Sequence, residues 1–83
     1  NGFARGVEGC VTIPLNENQR GSLVSFTFNL GLGSLKASTL LKRVNEPDWD
    51  DVPNQFLRWV YAGGRKLRGL ELRREAEADL WLS

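Results

Sequence analysis

The chain has 83 residues, of which 41% are hydrophobic and 25% are charged, and its formal net charge is +1. This length predicts a single domain, residues 1–83, that buries a little over ~60% of its unfolded surface. The composition is that of a globular chain, and no apolar run approaches the ~18 residues of a membrane span. We therefore expect one folded domain without a membrane partner. The near-zero net charge favours no particular partner, and we expect no binding to nucleic acid.

The residue types exclude several kinds of chemistry. Cys10 is the only cysteine and histidine is absent, so cysteine–histidine catalysis, ordinary zinc sites and an internal disulfide are all excluded within this chain. Gly31 and Gly33 follow no strand and precede no Lys-Ser/Thr pair, which excludes a phosphate-binding loop. We expect no metal and no cofactor, and a half-buried thiol at Cys10.

The first elements are a helix end and a connector. Residues 1–9 are glycine-rich and weakly patterned, and we interpret them as the end of a helix that enters from upstream. No apolar signal segment is present, so the start resembles the interior of a longer protein. Residues 11–13 are β-branched but lie directly before Pro14, which favours an extended connector over a strand in a sheet.

A central helix follows. Asn16 is a good N-cap, and Gln19 stands where a capping-box partner bonds back to the cap. The glycines at positions 31 and 33 are expected to end the helix. Its apolar residues do not keep to one stripe, which predicts a helix buried on several sides; they are Leu23, Val24, Phe26, Phe28 and Leu30.

The second half of the chain predicts three further helical segments. Ser38 or Thr39 can cap a short amphipathic helix over residues 39–44. Asp48 is expected to cap a helical stripe over residues 49–60, in which Pro53 either lies in a first turn or divides a short helix from the main one. Gly63 and Gly64 are expected to end that stripe.

A basic loop, residues 65–69, then leads to a last helix over residues 70–82. Its inward face is expected to carry Leu72, Ala76 and Leu80, with Trp81 close by. The acidic residues of this helix are expected to lie on its solvated face; they are Glu71, Glu75, Glu77 and Asp79. The prediction is an all-α domain, a compact body of four to five short helices around a central buried helix.

No carboxylate pair has the setting of an acid–base couple, which needs one group in apolar surroundings and a second kept ionised. Asp48, Asp50 and Asp51 are typical of a helix start, and Glu8 near the terminus is expected to be solvated. Among polar residues, Asn29 stands out because it lies beside two glycines at the end of the central helix. It either caps its own helix or faces a cleft.

Several strings together carry a family resemblance: V-T-I-P-L-N-E-N-Q, L-V-S-F-T-F-N-L-G, S-T-L-L-K-R-V-N, Q-F-L-R-W-V-Y-A-G-G-R-K-L and L-R-R-E-A-E-A-D-L-W. From about Val7 to Leu82 the chain resembles the large, C-terminal helical lobe of tailed-phage lysozymes, the endolysins of glycoside hydrolase family 24. The resemblance implies a muramidase that cleaves the β-1,4 bond between N-acetylmuramic acid and N-acetylglucosamine in peptidoglycan. This lobe would form one wall of the substrate cleft.

The resemblance implies binding residues but no catalytic ones. The family's catalytic glutamate belongs to an N-terminal lobe that we expect to be absent from this chain. Glu8-Gly9 echoes the catalytic E-G, but the residues after it resemble the entry to the large lobe. The chain alone is therefore predicted to be inactive. Matching positions predict substrate contacts at Phe28, Asn29, Ser38, Thr39, Asn54 and Gln55.

Other positions match the family in supporting roles. Trp59 matches a buried core tryptophan, whereas Arg73 and Arg74 match paired arginines that anchor the last helix or meet anionic wall polymer. The implied partners are a peptidoglycan glycan strand and a missing lobe or second chain. Uncovered apolar surface would favour self-association. Family members are made in the host bacterial cytoplasm and act on the cell wall after release or export.

Two other classes of function remain open from the residues. One is a non-catalytic module that binds cell-wall glycan or a partner protein through the exposed wall of the cleft. The other is nucleic-acid binding by the basic stretch over residues 58–74, which would show a steep salt dependence.

Overall fold

The computed structural model describes residues 2–83, so the predicted helix end over residues 1–9 is described except for Asn1. Within this range the chain forms six α-helices, a short 3₁₀ turn and one two-stranded hairpin. Their bounds are α1 Gly2–Cys10, α2 Glu17–Leu30, α3 Leu32–Lys36, α4 Thr39–Asn45, the 3₁₀ turn Trp49–Asp51, α5 Val52–Phe56, β1 Tyr61–Ala62, β2 Arg65–Lys66 and α6 Arg68–Leu82. The all-α prediction is confirmed, although the helices outnumber the four or five expected. None of these helices has the length and apolarity to cross a membrane.

Local sequence determines both ends of α2. The Oδ1 atom of Asn16 accepts a hydrogen bond from the Gln19 backbone N–H at 2.8 Å, and the Gln19 side chain accepts one from the Asn16 N–H at 2.9 Å. At the other end Gly31 has φ +93° and donates its N–H to the Thr27 carbonyl at 2.7 Å. The predicted capping box and glycine stop are both confirmed.

The core forms where α2 packs against α1, α3 and α6. Phe26 lies at its centre, with its ring edge-on to Phe56 at a centroid distance of 5.9 Å. Phe28 is 67% exposed, so α2 is not buried on every face that the sequence predicted. The buried apolar cluster comprises Val7, Leu23, Phe26, Leu35, Leu40, Val44, Val52, Phe56, Ala78 and Trp81.

The residues after α1 form the predicted connector. Residues 11–13 have no regular structure, and the last turn of α4 holds this segment in place. The Asn45 amide accepts a hydrogen bond from the Thr12 N–H at 2.9 Å and donates one to the Cys10 carbonyl at 3.1 Å. Cys10 is a free, partly buried thiol, as expected.

The prediction that a helix extends to Gly63 is wrong. The helix α5 ends at Phe56, and β1 then pairs antiparallel with β2, with Tyr61 opposite Lys66. Gly63 and Gly64 have φ +58° and +80°. A two-residue hairpin turn with two positive φ values favours glycine at both positions, so this pair builds a hairpin instead of stopping a helix.

Asp48 precedes the 3₁₀ turn, but its side chain makes no capping hydrogen bond. Pro53 lies in the first turn of α5, one of its two predicted placements.

The predicted inward face of the last helix is also wrong. Leu72 and Leu80 are 51% and 36% exposed, and Ala76 is exposed as well. The helix instead turns Trp81 inward, where the indole packs edge-on against Trp49 at 5.7 Å. The stripe with the large aromatic ring is buried because it removes the most apolar surface from water.

Two charged residues are buried on the same stripe. Arg74 and Glu77 are 0% and 3% exposed, and the Arg74 Nε atom lies 2.6 Å from Glu77 Oε1. Glu77 Oε2 accepts hydrogen bonds from Arg74 Nη2 at 2.9 Å and from the Ser25 hydroxyl at 2.6 Å. The expectation of a solvated Glu77 is therefore wrong, because its carboxylate is buried in an ion pair with Arg74.

Candidate functional site

A surface pocket of about 330 Å³ lies where the junction of α3 and α4 meets the end of α5. It brings together three of the predicted binding residues, Ser38 and Thr39 at the start of α4 and Gln55 in α5. The complete lining is Ala37, Ser38, Thr39, Gln55, Arg58 and Trp59. We call this the candidate pocket.

Ser38 shapes the pocket through its helix cap. Its hydroxyl donates to the Leu35 carbonyl at 2.6 Å and accepts from the Leu41 N–H at 3.1 Å. Both bonds are local and the side chain is 8% exposed, so the predicted N-cap is confirmed and the hydroxyl is already engaged. Thr39, the first residue of α4, is exposed beside it.

The side chain of Gln55 is fixed by a hydrogen bond to Asp51. It is 4% exposed, and its Nε2 donates to Asp51 Oδ2 at 2.8 Å. The same carboxylate oxygen accepts from Arg43 Nε at 3.2 Å, and Arg43 Nη1 donates to Glu46 Oε1 at 2.7 Å. This network links α4, the 3₁₀ turn and α5, and it fixes the amide that lines the pocket.

The network also sets the charge of Asp51. Its hydrogen bond from Gln55, and then that from Arg43, hold the pKa of the Asp51 carboxyl below its usual range against the opposing effect of desolvation. The hydrogen bonds to Glu46 and Asp51 raise the pKa of Arg43. A carboxyl whose pKa is lowered stays ionised near neutral pH, so Asp51 is a positioning group and not a proton donor.

Trp59 belongs both to the core and to the pocket. Its ring meets Phe26 edge-on, with centroids 5.3 Å apart and planes at 88°. The side chain is partly buried against the core cluster and also lines the candidate pocket. Its predicted core role therefore describes one side of the indole only.

Arg58 is a pocket residue that the sequence reasoning missed. It is exposed and lines the pocket directly before Trp59. The sequence placed it in a basic stretch with Arg74, which is in fact buried. The sequence signal that could have identified Arg58 as a pocket residue is its spacing, because it follows Gln55 by three residues at the end of α5.

The other predicted binding residues do not line this pocket. Phe28 and Asn29 lie exposed on the last turn of α2, and Asn54 is exposed on α5. Gly31 occupies the C-cap of α2, so capping does not account for Asn29. Contacts of these three residues with a ligand stay predictions.

Two further pockets each contain an ion pair. Glu8 and Arg20 are 3.4 Å apart in a pocket of about 290 Å³ between α1, the connector and α2. Lys66 and Glu71 are 3.5 Å apart in a pocket of about 270 Å³ beside the hairpin. Glu8 thus lines a different pocket from the candidate pocket, which no carboxylate lines. Among residues 2–83, no group of three histidine, cysteine or carboxylate side chains could hold a metal ion.

The basic stretch over residues 58–74 does not form a continuous surface. Lys66 and Arg68 both approach Glu71, at 3.5 and 3.9 Å. Arg74 is fully buried, and Arg73 lies 3.7 Å from Glu77. Four of the six cations in the stretch that suggested nucleic-acid binding therefore pair with carboxylates of α6.

The family model for phage lysozyme matches residues 1–77. The chain is 40% identical over 79 residues to a SAR-endolysin of Bacteriophage PS119, which covers 95% of this chain and 47% of that protein. It is 41% identical over 81 residues to an endolysin of Bacillus phage B103, which covers 98% of this chain and 31% of that protein. The chain thus spans half or less of the length of these relatives.

Solved structures agree. The muramidase domain of SpmX from Asticaccaulis excentricus superposes with a TM-score of 0.91 at 32% identity, covering 99% of this chain and 58% of that one. An endolysin from Escherichia coli O157:H7 phage FAHEc1 gives a TM-score of 0.90 at 30% identity, covering 99% and 54%. Sequence and fold lead to the same conclusion: the chain belongs to the phage lysozyme family.

Proposed function

We propose that this chain is the large helical lobe of a peptidoglycan-cleaving muramidase and forms one wall of its substrate cleft. The observation that carries the proposal is the candidate pocket, in which exposed Thr39, the fixed amide of Gln55 and the indole of Trp59 meet on one surface. Hydroxyl and amide groups suit the hydroxyl and N-acetyl groups of a sugar, and an indole offers an apolar surface to its ring.

Hydrolysis of the glycan needs catalytic carboxyl groups as well as a binding surface. Enzymes of this class use a protonated acid at the leaving oxygen and a second carboxylate across the bond. No carboxylate lines the candidate pocket, and Asp51 beneath it is ionised and hydrogen-bonded. The chain by itself therefore binds the glycan strand without cutting it, and the acid belongs to a separate lobe or chain.

The test is cosedimentation of the chain with insoluble peptidoglycan, together with the turbidity of the same suspension. We expect binding without clearing. Asn29→Ala and Thr39→Ala should each lower the bound fraction. Asn18→Ala is the matched control, because Asn18 is an exposed amide on α2 whose side chain contacts Ser83, and α2 carries Asn29 at its opposite end.

Two results would contradict the proposal. Clearing of the suspension by the chain alone would show that a catalytic acid is present after all. Failure of the unmodified chain to sediment with peptidoglycan would remove the binding role.

A further inference from the structure

The pocket of about 290 Å³ between α1, the connector and α2 shares no lining residue with the candidate pocket. Apart from Glu8 and Arg20, all of its lining residues are apolar; they are Val7, Val11, Ile13, Pro14 and Leu15. We call it the connector pocket. A mostly apolar concavity with a few converging polar groups is the usual form of a binding site for a small molecule.

The walls of the connector pocket are fixed by the fold. Burial alternates along residues 11–15, so that Val11, Ile13 and Leu15 are partly buried and the two residues between them are exposed. Hydrogen bonds with the Asn45 side chain hold the start of this segment, and the capping box of α2 holds its end. The apolar walls therefore exist before a ligand arrives, which lowers the cost of binding.

The polar side of the connector pocket consists of one acid and one base. Arg20 Nη1 lies 3.4 Å from Glu8 Oε1, and Arg20 Nη2 donates to the Leu15 carbonyl, also at 3.4 Å. Both distances exceed the usual range for an N–H···O hydrogen bond, and the side chains of Arg20 and Glu8 are 42% and 56% exposed. An exposed ion pair contributes little to stability, so these two charges can exchange each other for a ligand at small cost.

We propose that the connector pocket binds the zwitterion of an aliphatic amino acid. The aliphatic side chain lies on the apolar walls, the ammonium contacts Glu8, and the carboxylate contacts Arg20 through the paired N–H groups of the guanidinium. Charge complementarity determines this class of ligand, because the two charged groups of the pocket have opposite signs. A ligand with only a carboxylate meets the repulsion of Glu8, and one with only an ammonium meets that of Arg20. This site goes beyond the proposed function and does not depend on it.

The experiment is a titration of the unmodified chain followed through one methyl group. Ile13 is the only isoleucine in the sequence, so selective labelling of its δ1-methyl group places a single NMR signal in the pocket wall. Leucine is the probe, and we expect saturable shifts with a dissociation constant on the order of millimolar.

Three analogues separate the contributions of the groups of leucine. Isocaproate lacks only the ammonium and isoamylamine lacks only the carboxylate, and each should bind roughly threefold to tenfold more weakly than leucine. Glycine, which lacks the aliphatic side chain, should give no saturable shift.

Two variants of the pocket should change this ligand preference. Glu8→Gln removes the repulsion of a carboxylate, so isocaproate should bind at least as tightly as leucine. Arg20→Gln should have the same effect for isoamylamine. The matched controls are Glu17→Gln on α2 and Arg5→Gln on α1, which change an exposed acid and an exposed base outside the pocket lining and should keep the preference for leucine.

Each other outcome refutes the proposal. No saturable shift of Ile13 with leucine would refute the site, and equal affinities for leucine, isocaproate and isoamylamine would refute recognition of both charges. Equally tight binding of the uncharged N-acetyl-leucine amide would show that a peptide segment is held through its backbone, and would refute recognition of a zwitterion. Loss of the preference in Glu17→Gln or Arg5→Gln would make the effect one of general charge. Sedimentation with peptidoglycan tests the proposed function separately.

Discussion

The guanidinium carbon of Arg74 lies 5.3 Å from the centre of the Phe26 ring, a cation–π contact that joins α6 to α2 inside the core. The charge needs its partner Glu77, since a lone ion in this setting would be strongly destabilising. The contact and the ion pair make α6 part of the core through polar groups as well as apolar ones.

Removing one partner of this pair should cost far more than removing both. Arg74→Met or Glu77→Leu alone leaves a buried charge and should lower the free energy of unfolding by roughly 3 to 5 kcal/mol. The double variant should be more stable than either single variant, because no unpaired charge remains. Urea unfolding of the four proteins measures the coupling, and additive losses would contradict a buried pair.

The hydroxyl of Thr27 offers a stabilising change. Thr27 is 0% exposed, and its Oγ1 has no hydrogen-bond partner among the described residues. Thr27→Val keeps the shape and removes the desolvated hydroxyl, so the free energy of unfolding should rise by about 1 kcal/mol. Ser22→Ala on the same helix is the control, since the Ser22 hydroxyl donates to the Gln19 carbonyl at 2.7 Å. It should bring no such gain.

Two glycines should respond in opposite directions to alanine. Gly64 has φ +80°, where a side chain is strained, so Gly64→Ala should destabilise the chain by about 1 kcal/mol. Gly33 lies within α3, and a Cβ atom there would meet nothing within 4 Å. Gly33→Ala should stabilise by about 0.5 to 1 kcal/mol by restricting the unfolded chain. Thermal unfolding of both variants tests this, and equal signs would refute it.

Asp51 should make stability depend on acid. Its pKa is lowered in the folded chain by the hydrogen bonds from Gln55 and Arg43. Its contribution is therefore present above the unfolded pKa of ~3.9 and is lost as the pH falls through the folded pKa. Melting temperatures of the unmodified chain and of Asp51→Asn should differ most above about pH 5 and converge in stronger acid.

The control for this pH dependence is Asp50→Asn. Asp50 is exposed in the same turn and takes part in no ion pair among residues 2–83. Its melting curve should follow that of the unmodified chain at every pH. A difference between the unmodified chain and Asp51→Asn that stays constant with pH would contradict the network around Gln55.

The elements that could be predicted from sequence were those fixed by neighbours in the chain. The ends of α2 follow from Asn16, Gln19 and Gly31, and α4 begins after the Ser38 cap, all within four residues of the groups they bond. The family resemblance could also be recognised from the sequence, because it depends on short strings of neighbouring residues.

The wrong predictions concern features of the fold that depend on contacts between residues distant in the sequence. Gly63-Gly64 is compatible with a helix stop or a hairpin turn, and only the pairing of Tyr61 with Lys66 distinguishes the two. Two stripes run along α6, and the contacts of Trp81 with Trp49 and of Glu77 with Ser25 select between them. Arg58 was overlooked because the pocket that it lines is formed by two segments that are distant in the sequence.

The hairpin has a practical consequence. Residues 61–69 form a continuous exposed run that begins at the hairpin and ends in the first turn of α6, and they include Arg65, Lys66 and Arg68. A trypsin-like protease would meet these bonds first, because exposed loop tips are preferred sites of nicking. Insertions are tolerated at such sites too, so a tag or a fluorescent reporter placed between Gly63 and Gly64 would leave both α2 and the buried face of α6 in place.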